Sequence, residues 1–281
     1  MLIDLHTHST ASDGTQSPAD LVAAAAAAGV DVLGLTDHDT TAGWDAAAAA
    51  ATEHGVALVR GAELSCTTVR GISVHLLTYL HDPQAPGLVG EAVAARTSRE
   101  HRARAIVELL QRDYALDWAD VAAQSTGGAT IGRPHIADAL VARGHVGTRD
   151  EAFATILRSG SRYVVHHYAT EAVDAVRLVR AAGGVPVLAH PAAAQRGRTV
   201  PERSIEAMAA AGLVGVEVDH RDHDDGARRR LRELAAALDL VVTGSSDYHG
   251  TGKLNRLGEN STAPASLERI EAAGTLPVLR G

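Results

Sequence analysis

The chain has little cysteine, lysine or aromatic residue to work with: one cysteine, one phenylalanine and two tryptophans in 281 residues. A lone thiol, Cys66, rules out a disulfide framework and a thiolate metal site. It reads as a small buried hydrophobe rather than a nucleophile. With aromatics at 3%, the core must be aliphatic. A net charge of −8 denies the chain the basic face that duplex DNA demands. It leaves room for a small anion held by metals and a few arginines. No apolar run is long enough for a bilayer span, and no leader peptide precedes the first strand. The expected compartment is the cytoplasm, with no membrane partner and no obligate protein partner.

At this length, with 46% apolar residues, the chain can bury a large core as one domain or one domain with an insertion. The alanine runs 23–28 and 46–51, punctuated by Leu and Val, read as helices. Leu2–His6, Asp31–Leu35, Val56–Leu64 and Ile72–Leu80 read as strands. Ser17-Pro18 opens the first helix, with a cap and a proline at the first turn, and Thr41–His54 is the second. After residue 168 the β-α rhythm resumes with helices at Glu171–Ala182, Pro201–Ala211 and Asp225–Leu238. Strands are expected at Val185–Ala189, Val214–Val218 and Leu240–Thr243. About seven strands with alternating helices predict a barrel rather than an open sheet.

Chemistry-bearing residues keep phase with those strands. Asp4-Leu5-His6-Thr7-His8-Ser9, with Asp13, ends the first. Residues two apart on a strand share a face, so His6 and His8 point the same way. Thr36-Asp37-His38-Asp39 follows the second strand and Gly61-Ala62-Glu63-Leu64 the third. His75 lies in the fourth. Ala189-His190-Pro191 and Ser246-Asp247-Tyr248-His249-Gly250 close later strands. The C-terminal rim is where an α/β barrel builds its site. Neutral imidazoles beside carboxylates suit a divalent transition metal.

From Gly87 to about His167 the pattern is all-helical: Ala92–Arg112, Asp117–Ser125, Arg133–Arg143 and Arg149–Ser159. The expected organisation is a barrel over 1–86 and 168–281, interrupted by a helical insertion over 87–167 that caps the substrate. Arg96, Arg99 and Arg102, spaced by three, form one basic stripe. It is either a solvated face or a phosphate contact overhanging the site. Gly132-Arg133-Pro134-His135 opens an inserted helix, where exposed amides and the Arg133 fork favour an anion. His166 and His167 are weaker candidates for the pocket wall. Gly250-Thr251-Gly252-Lys253 fails as a phosphate loop, because Asp247 stands where its first glycine belongs and Leu254 follows the lysine.

Taken in order, these motifs resemble the PHP (polymerase and histidinol phosphatase) superfamily of metal-dependent phosphoesterases. The insertion with Gly-Arg-Pro-His resembles the subgroup that hydrolyses nucleoside 3′,5′-bisphosphates and the 5′ ends of short RNA. The resemblance implies a distorted (β/α)7 TIM-like barrel with three divalent metals, Mn²⁺ first, with Zn²⁺ or Fe²⁺ as alternatives. It implies that His6, His8, Glu63 and Asp247 hold one ion. Glu63 bridges to a second ion with His75 and His190, and Asp13, His38 and His249 hold the third. Arg133 and His135 match the family's substrate residues, and Arg96, Arg99, His220, His223 and Lys253 are further expected contacts.

The chemistry these residues allow is in-line attack on a phosphomonoester by water whose pKa, ~15.7 in bulk, is lowered by two ions. Asp13 and Arg133 would serve that step, with His223 or His135 as the acid for the leaving oxygen. Asp4, Asp37 and Asp39 are either imidazole partners or caps. The expected substrate is a nucleoside 3′,5′-bisphosphate, releasing the 3′-phosphate to give AMP, or a short RNA 5′ end. The alternatives are histidinol-phosphate hydrolysis, a carbon–nitrogen amidohydrolase and a non-catalytic metal-binding module. The amidohydrolase commonly needs a bridging lysine, and the strands have none. Structural metal sites are usually closed and four-coordinate, unlike ligands spread over six segments.

Overall fold

The computed structural model describes residues 1–125, 129–158, 160–163, 165 and 168–280. His166 and His167 lie outside the described residues. Seven strands follow one another around a nearly closed sheet: β1 (Ile3–Thr7), β2 (Val32–Leu35), β3 (Ala57–Thr67), β4 (Ser73–Tyr79), β6 (Val185–Ala189), β7 (Gly215–Asp219) and β8 (Val241–Gly244). A two-residue strand, β5 (Thr170–Glu171), pairs with the end of β3. The seam between β8 and β1 is drawn together at the rim. Thr7 bridges Tyr248, the His8 amide donates to the Tyr248 carbonyl at 2.9 Å, and Asp4 Oδ1 accepts the Ser246 amide at 3.0 Å.

The strand pattern departs from simple β-α alternation once. β4 follows β3 through a tight hairpin, with no helix between, and runs antiparallel to both β3 and β6. Hydrophobic periodicity marks a strand but carries no sign of its direction. The reversal matters for position. The start of β4 lies where its neighbours end, so His75 stands opposite Ser65 and Ala189.

Helices α1 (Pro18–Ala27) and α2 (Trp44–His54) cover the β2 side, and α7 (Ala172–Ala181), α8 (Glu202–Ala210) and α9 (Asp225–Ala237) cover β4, β6 and β7. The α1 start is the expected one: Ser17 Oγ accepts the Asp20 amide at 3.1 Å, with Pro18 at the first turn. The helix α10 (Pro264–Ala273) was not expected; it sends Leu267 and Ile270 into the barrel core. The segment behind it pairs Leu279 with Leu58.

Between β4 and β5 run α3 (Pro86–Leu110), α4 (Trp118–Ala122), α5 (Arg133–Ala142) and α6 (Arg149–Ala154). They share a hydrophobic cluster of their own around Ile106, Leu110, Ile136 and Leu140. α3 begins six residues before the expected Ala92, because Pro86 supplies a first-turn start. α4 ends before Ser125, whose hydroxyl donates to the Ala129 carbonyl at 3.0 Å. Among the described residues no helix is long and apolar enough to cross a membrane.

Tyr79 crosses the barrel interior, fully buried, and its hydroxyl donates to the Leu5 carbonyl at 3.0 Å, one residue before His6. Tyr79→Phe strips that buried carbonyl of a donor. We expect a loss of about 1–3 kcal/mol in urea unfolding of the metal-free protein. An unchanged midpoint would show that the bond contributes nothing.

Candidate metal centre

At the rim, one carboxylate gathers the histidines. Glu63 sits on β3, 1% exposed. Its backbone is clamped by its own amide on the Asp37 carbonyl at 3.1 Å and by the Asp39 amide on its carbonyl at 3.0 Å. Glu63 Oε2 lies 3.2 Å from His6 Nε2, 3.1 Å from His8 Nε2 and 3.2 Å from His38 Nδ1. Glu63 Oε1 lies 2.7 Å from His75 Nδ1 and 3.2 Å from His190 Nε2. Strand ends thus deliver five imidazoles to one group.

Two more carboxylates complete the cluster. Asp247 Oδ1 is 3.4 Å from both His6 Nε2 and His8 Nε2, and 3.5 Å from His249 Nδ1. Asp13 Oδ1 is 3.3 Å from His249 Nε2, and Asp13 Oδ2 is 3.7 Å from His38 Nε2. The donor atoms fall into overlapping groups, each within 4.8 Å: His6, His8, Glu63 and Asp247; His8, Asp13, His38 and His249; His38, Glu63 and His75; His6, His190 and Glu217. All nine residues implied as ligands are therefore brought together. The grouping differs from the implied one in placing His8 and His38 between sets and His190 beside Glu217.

This donor set fits divalent ions. Two buried nitrogens, His8 Nδ1 and His38 Nδ1, face the carboxylates of Asp13 and Glu63 at 3.7 and 3.2 Å without a hydrogen bond of good geometry, an arrangement that an ion between them would satisfy. His6 Nε2 and His8 Nε2 face each other at 3.0 Å, close enough for a shared proton or a shared cation. Nitrogen and carboxylate oxygen without thiolate suit Mn²⁺, Zn²⁺ or Fe²⁺.

Charge balance is set internally. Burial opposes ionisation of Glu63 and Asp13. The surrounding imidazoles outweigh it, His75 and His38 foremost at Glu63 and His249 at Asp13, and hold both well below the ordinary carboxylate range. Burial likewise opposes charge on His6 and His8. Glu63 and Glu217 push His6 well up, and Asp247 with Glu63 lifts His8 to about 9. Burial keeps His38 well below its usual value and takes His249 down to about 4.

The aspartates beside the motifs are tethers and do not hold imidazoles. Asp4 accepts the Ser246 and Gly258 amides. Asp37 accepts the Ser9 amide and the hydroxyls of Ser9 and Ser12. Asp39 accepts the Ser65 amide and hydroxyl. Asp39, His190 and Asp247 all adopt positive φ, at 53°, 27° and 55°, a conformation non-glycine residues hold under constraint. Sequence reasoning missed Glu217, fully buried on β7, with Oε1 3.2 Å from His6 Nδ1. Its signal was a lone acid inside the apolar run Val214–Val218.

The expected substrate contacts divide. Arg96 donates to the Asp39 carbonyl at 2.5 Å, and Arg99 to Asp39 Oδ2 at 2.8 Å and Ser65 Oγ at 2.5 Å, so α3 does overhang the site. Arg133 lies 4.9 Å over the Phe153 ring and donates to the Leu157 carbonyl at 2.5 Å. Burial, then the neighbouring Arg133 and Arg99, lowers Arg102 to about 9. His135 Nδ1 accepts the Gly132 amide at 3.1 Å, which places its proton on Nε2; burial lowers its pKa. Lys253 pairs with Asp247 Oδ2 at 3.0 Å.

Two expected contacts have intramolecular partners. His220 is fully buried; its Nδ1 accepts the Asp222 amide and its Nε2 faces Asp247 Oδ2 at 3.6 Å, so it braces the cluster from behind. His223 has both nitrogens engaged, Nδ1 on the Val218 carbonyl at 2.9 Å and Nε2 on the Ala192 amide at 3.2 Å. Burial lowers its pKa further. It links two loops through both ring nitrogens.

Residues 4–143 match the PHP domain family model. The chain is 34% identical to a 3′,5′-nucleoside bisphosphate phosphatase from Chromobacterium violaceum, over 90% of this chain and 89% of that one. It is also 34% identical to a 5′-3′ exoribonuclease from Haemophilus influenzae, over 92% and 93%. A crystal structure from Bifidobacterium adolescentis described as a metal-dependent phosphoesterase superposes with a TM-score of 0.95 at 41% identity, covering 97% of this chain and 96% of that one.

In the metal-free protein His6 and His8 hold their protons above the ordinary histidine range. That contribution to stability is present below about pH 6.5 and lost as pH rises through about 9. An ion must displace those protons. We expect Mn²⁺ uptake at pH 7.5 to release protons and to tighten with rising pH. Calorimetry in buffers of different ionisation enthalpy measures this; zero release would show the two rings neutral before binding.

Proposed function

The chain belongs to the PHP family of metal-dependent phosphoesterases, and from that premise we propose that it removes phosphate from a nucleoside 3′,5′-bisphosphate, or trims the 5′ end of short RNA. With adenosine 3′,5′-bisphosphate the 3′-phosphate would leave, giving AMP. The carrying observation is the pairing of a buried His-carboxylate cluster with an arginine group above it. Burial and mutual repulsion already depress Arg102 beside Arg133 and Arg99. Guanidiniums held close together favour an anion with more than one phosphate.

In this reading His6, His8, Asp13, His38, Glu63, His75, His190, Asp247 and His249 hold three divalent ions, Mn²⁺ first. Such ions supply Lewis-acid activation of water and charge for the phosphoryl oxygens. The protein's part is placement. Residues 87–167 act as the cap. Arg133, kept flat by Phe153, offers its remaining N–H donors to the phosphoryl oxygens and offsets charge that grows in the transition state. Arg99, anchored through one nitrogen to Asp39 and Ser65, presents its other nitrogens to the second phosphate. His135, neutral near pH 7, would offer a hydrogen bond from Nε2–H to the leaving oxygen, which takes its proton from solvent. Lys253 and His220 fix Asp247 from two sides. The chain's one lysine is thus occupied with Asp247, which counts against an amidohydrolase built on a bridging lysine.

The test is phosphate release with Mn²⁺ on adenosine 3′,5′-bisphosphate, AMP, histidinol phosphate and a short 5′-phosphorylated RNA. We expect the bisphosphate or the RNA to lead in kcat/KM. Preference for histidinol phosphate would overturn the account of the cap. Arg133→Ala should lower kcat/KM by roughly 10²–10³-fold without changing bound metal, and Arg133→Lys should not restore it, because a point charge lacks the fork. Full rescue by lysine would remove Arg133 from phosphate recognition.

A further inference from the structure

Glu217 carries more than its burial suggests. Val216 and Val218 pack into the layer under the helices, so alternation turns Glu217 to the opposite face, toward the cluster. Its two oxygens serve two different residues. Oε1 is 3.2 Å from His6 Nδ1, and Oε2 accepts the His190 backbone amide at 2.9 Å.

Both contacts act at a distance from the donor atoms. The other nitrogen of His6, Nε2, is the one that faces His8, Glu63 and Asp247, at 3.0, 3.2 and 3.4 Å. An imidazole that gives one nitrogen to an ion keeps its proton on the other, and the acceptor of that proton sets the ring's orientation. His190 is held differently. Its backbone sits at φ 27°, and the bond from its own amide to Glu217 Oε2 secures that unfavourable turn while Nε2 reaches Glu63 Oε1 at 3.2 Å. Asp4, Asp37 and Asp39 hold loops and no ring.

We propose that Glu217 is a positioning residue that fixes the His6 ring and the His190 turn together, so that two histidines from different strands present Nε2 to one cluster. The proposal rests on the reading of that cluster as a metal centre. His6, His190 and Glu217 also lie close enough to share an ion. The N–H groups on each carboxylate oxygen favour support over ligation.

Glu217→Gln and Glu217→Ala in the full chain test it, with free Mn²⁺ followed by electron paramagnetic resonance. The amide of the glutamine keeps one acceptor oxygen, enough for His6 or for the His190 amide but not both. Mn²⁺ affinity should fall about 10–100-fold in Glu217→Gln, and at least as far in Glu217→Ala. In the Zn²⁺-loaded protein the downfield proton resonance of His6 Nδ1–H should shift upfield or exchange away, a change that loss of packing alone does not produce. If the alanine variant does not fold, the isosteric glutamine variant carries the test. Affinity within twofold of wild type with an unmoved N–H resonance overturns the proposal. So does a metal-loaded crystal structure with a Glu217 oxygen at bonding distance from an ion, about 2.0–2.2 Å, since that makes it a ligand. A wild-type chain that takes up no Mn²⁺ fails at the earlier step and overturns the metal reading itself.

Discussion

Everything at the rim depends on the burial of Glu63 among five imidazoles. An isolated carboxylate in that position would cost several kcal/mol or would protonate. It stays ionised because positive charge is always within about 3 Å, as protons on His6 and His8 or as ions that replace them. The barrel is the means of supplying that charge, since six of its seven strands bring donors to the rim and the hydrogen bonds of the sheet hold them in place. Protonated and metal-loaded states are therefore two ways of meeting one electrostatic demand, which ties metal affinity to pH more closely than in a site of neutral ligands.

The same demand accounts for the irregularities. The sheet reverses at β4, and only that reversal brings His75 to the mouth where the parallel strands end. Three non-glycine residues in left-handed conformation, Asp39, His190 and Asp247, lie at the turns that aim donors inward. Strain of this kind persists where surrounding bonds over-determine it. Here those bonds are Arg96 and Arg99 on Asp39, Glu217 on His190 and Lys253 on Asp247. Helix α3 is consequently joined to the rim through the residue that follows His38.

The main features were legible in the sequence because local rules govern them. His-x-His at the end of an apolar run, Thr-Asp-His-Asp, Ala-His-Pro and Ser-Asp-Tyr-His-Gly announce both strand ends and donors. The proline and serine at 17–18 announce a helix. What stayed hidden depends on neighbours far along the chain. The direction of β4 is decided by pairing, and periodicity is blind to it. Glu217 was masked by its valine flanks, although an acid in an apolar run is itself a warning. His220 and His223 look like rim residues in a polar stretch, and only the fold shows that backbone groups take up both nitrogens of His223 and Nδ1 of His220.

The seam that joins β8 to β1 links residues 242 positions apart, and this has a consequence for biosynthesis. The strand carrying His6 and His8 emerges from the ribosome well before its partner around Asp247. At about 5–20 residues per second the interval is on the order of 10–50 s. For that time the nascent chain exposes an unpaired edge and a donor set that lacks Asp247 and His249. A chain truncated before the Ser246-Asp247-Tyr248-His249 segment has the early donors but cannot close the ring around them. Closure of the cluster thus waits until translation has passed His249, and an ion at the finished site would lock β1 and β8 together.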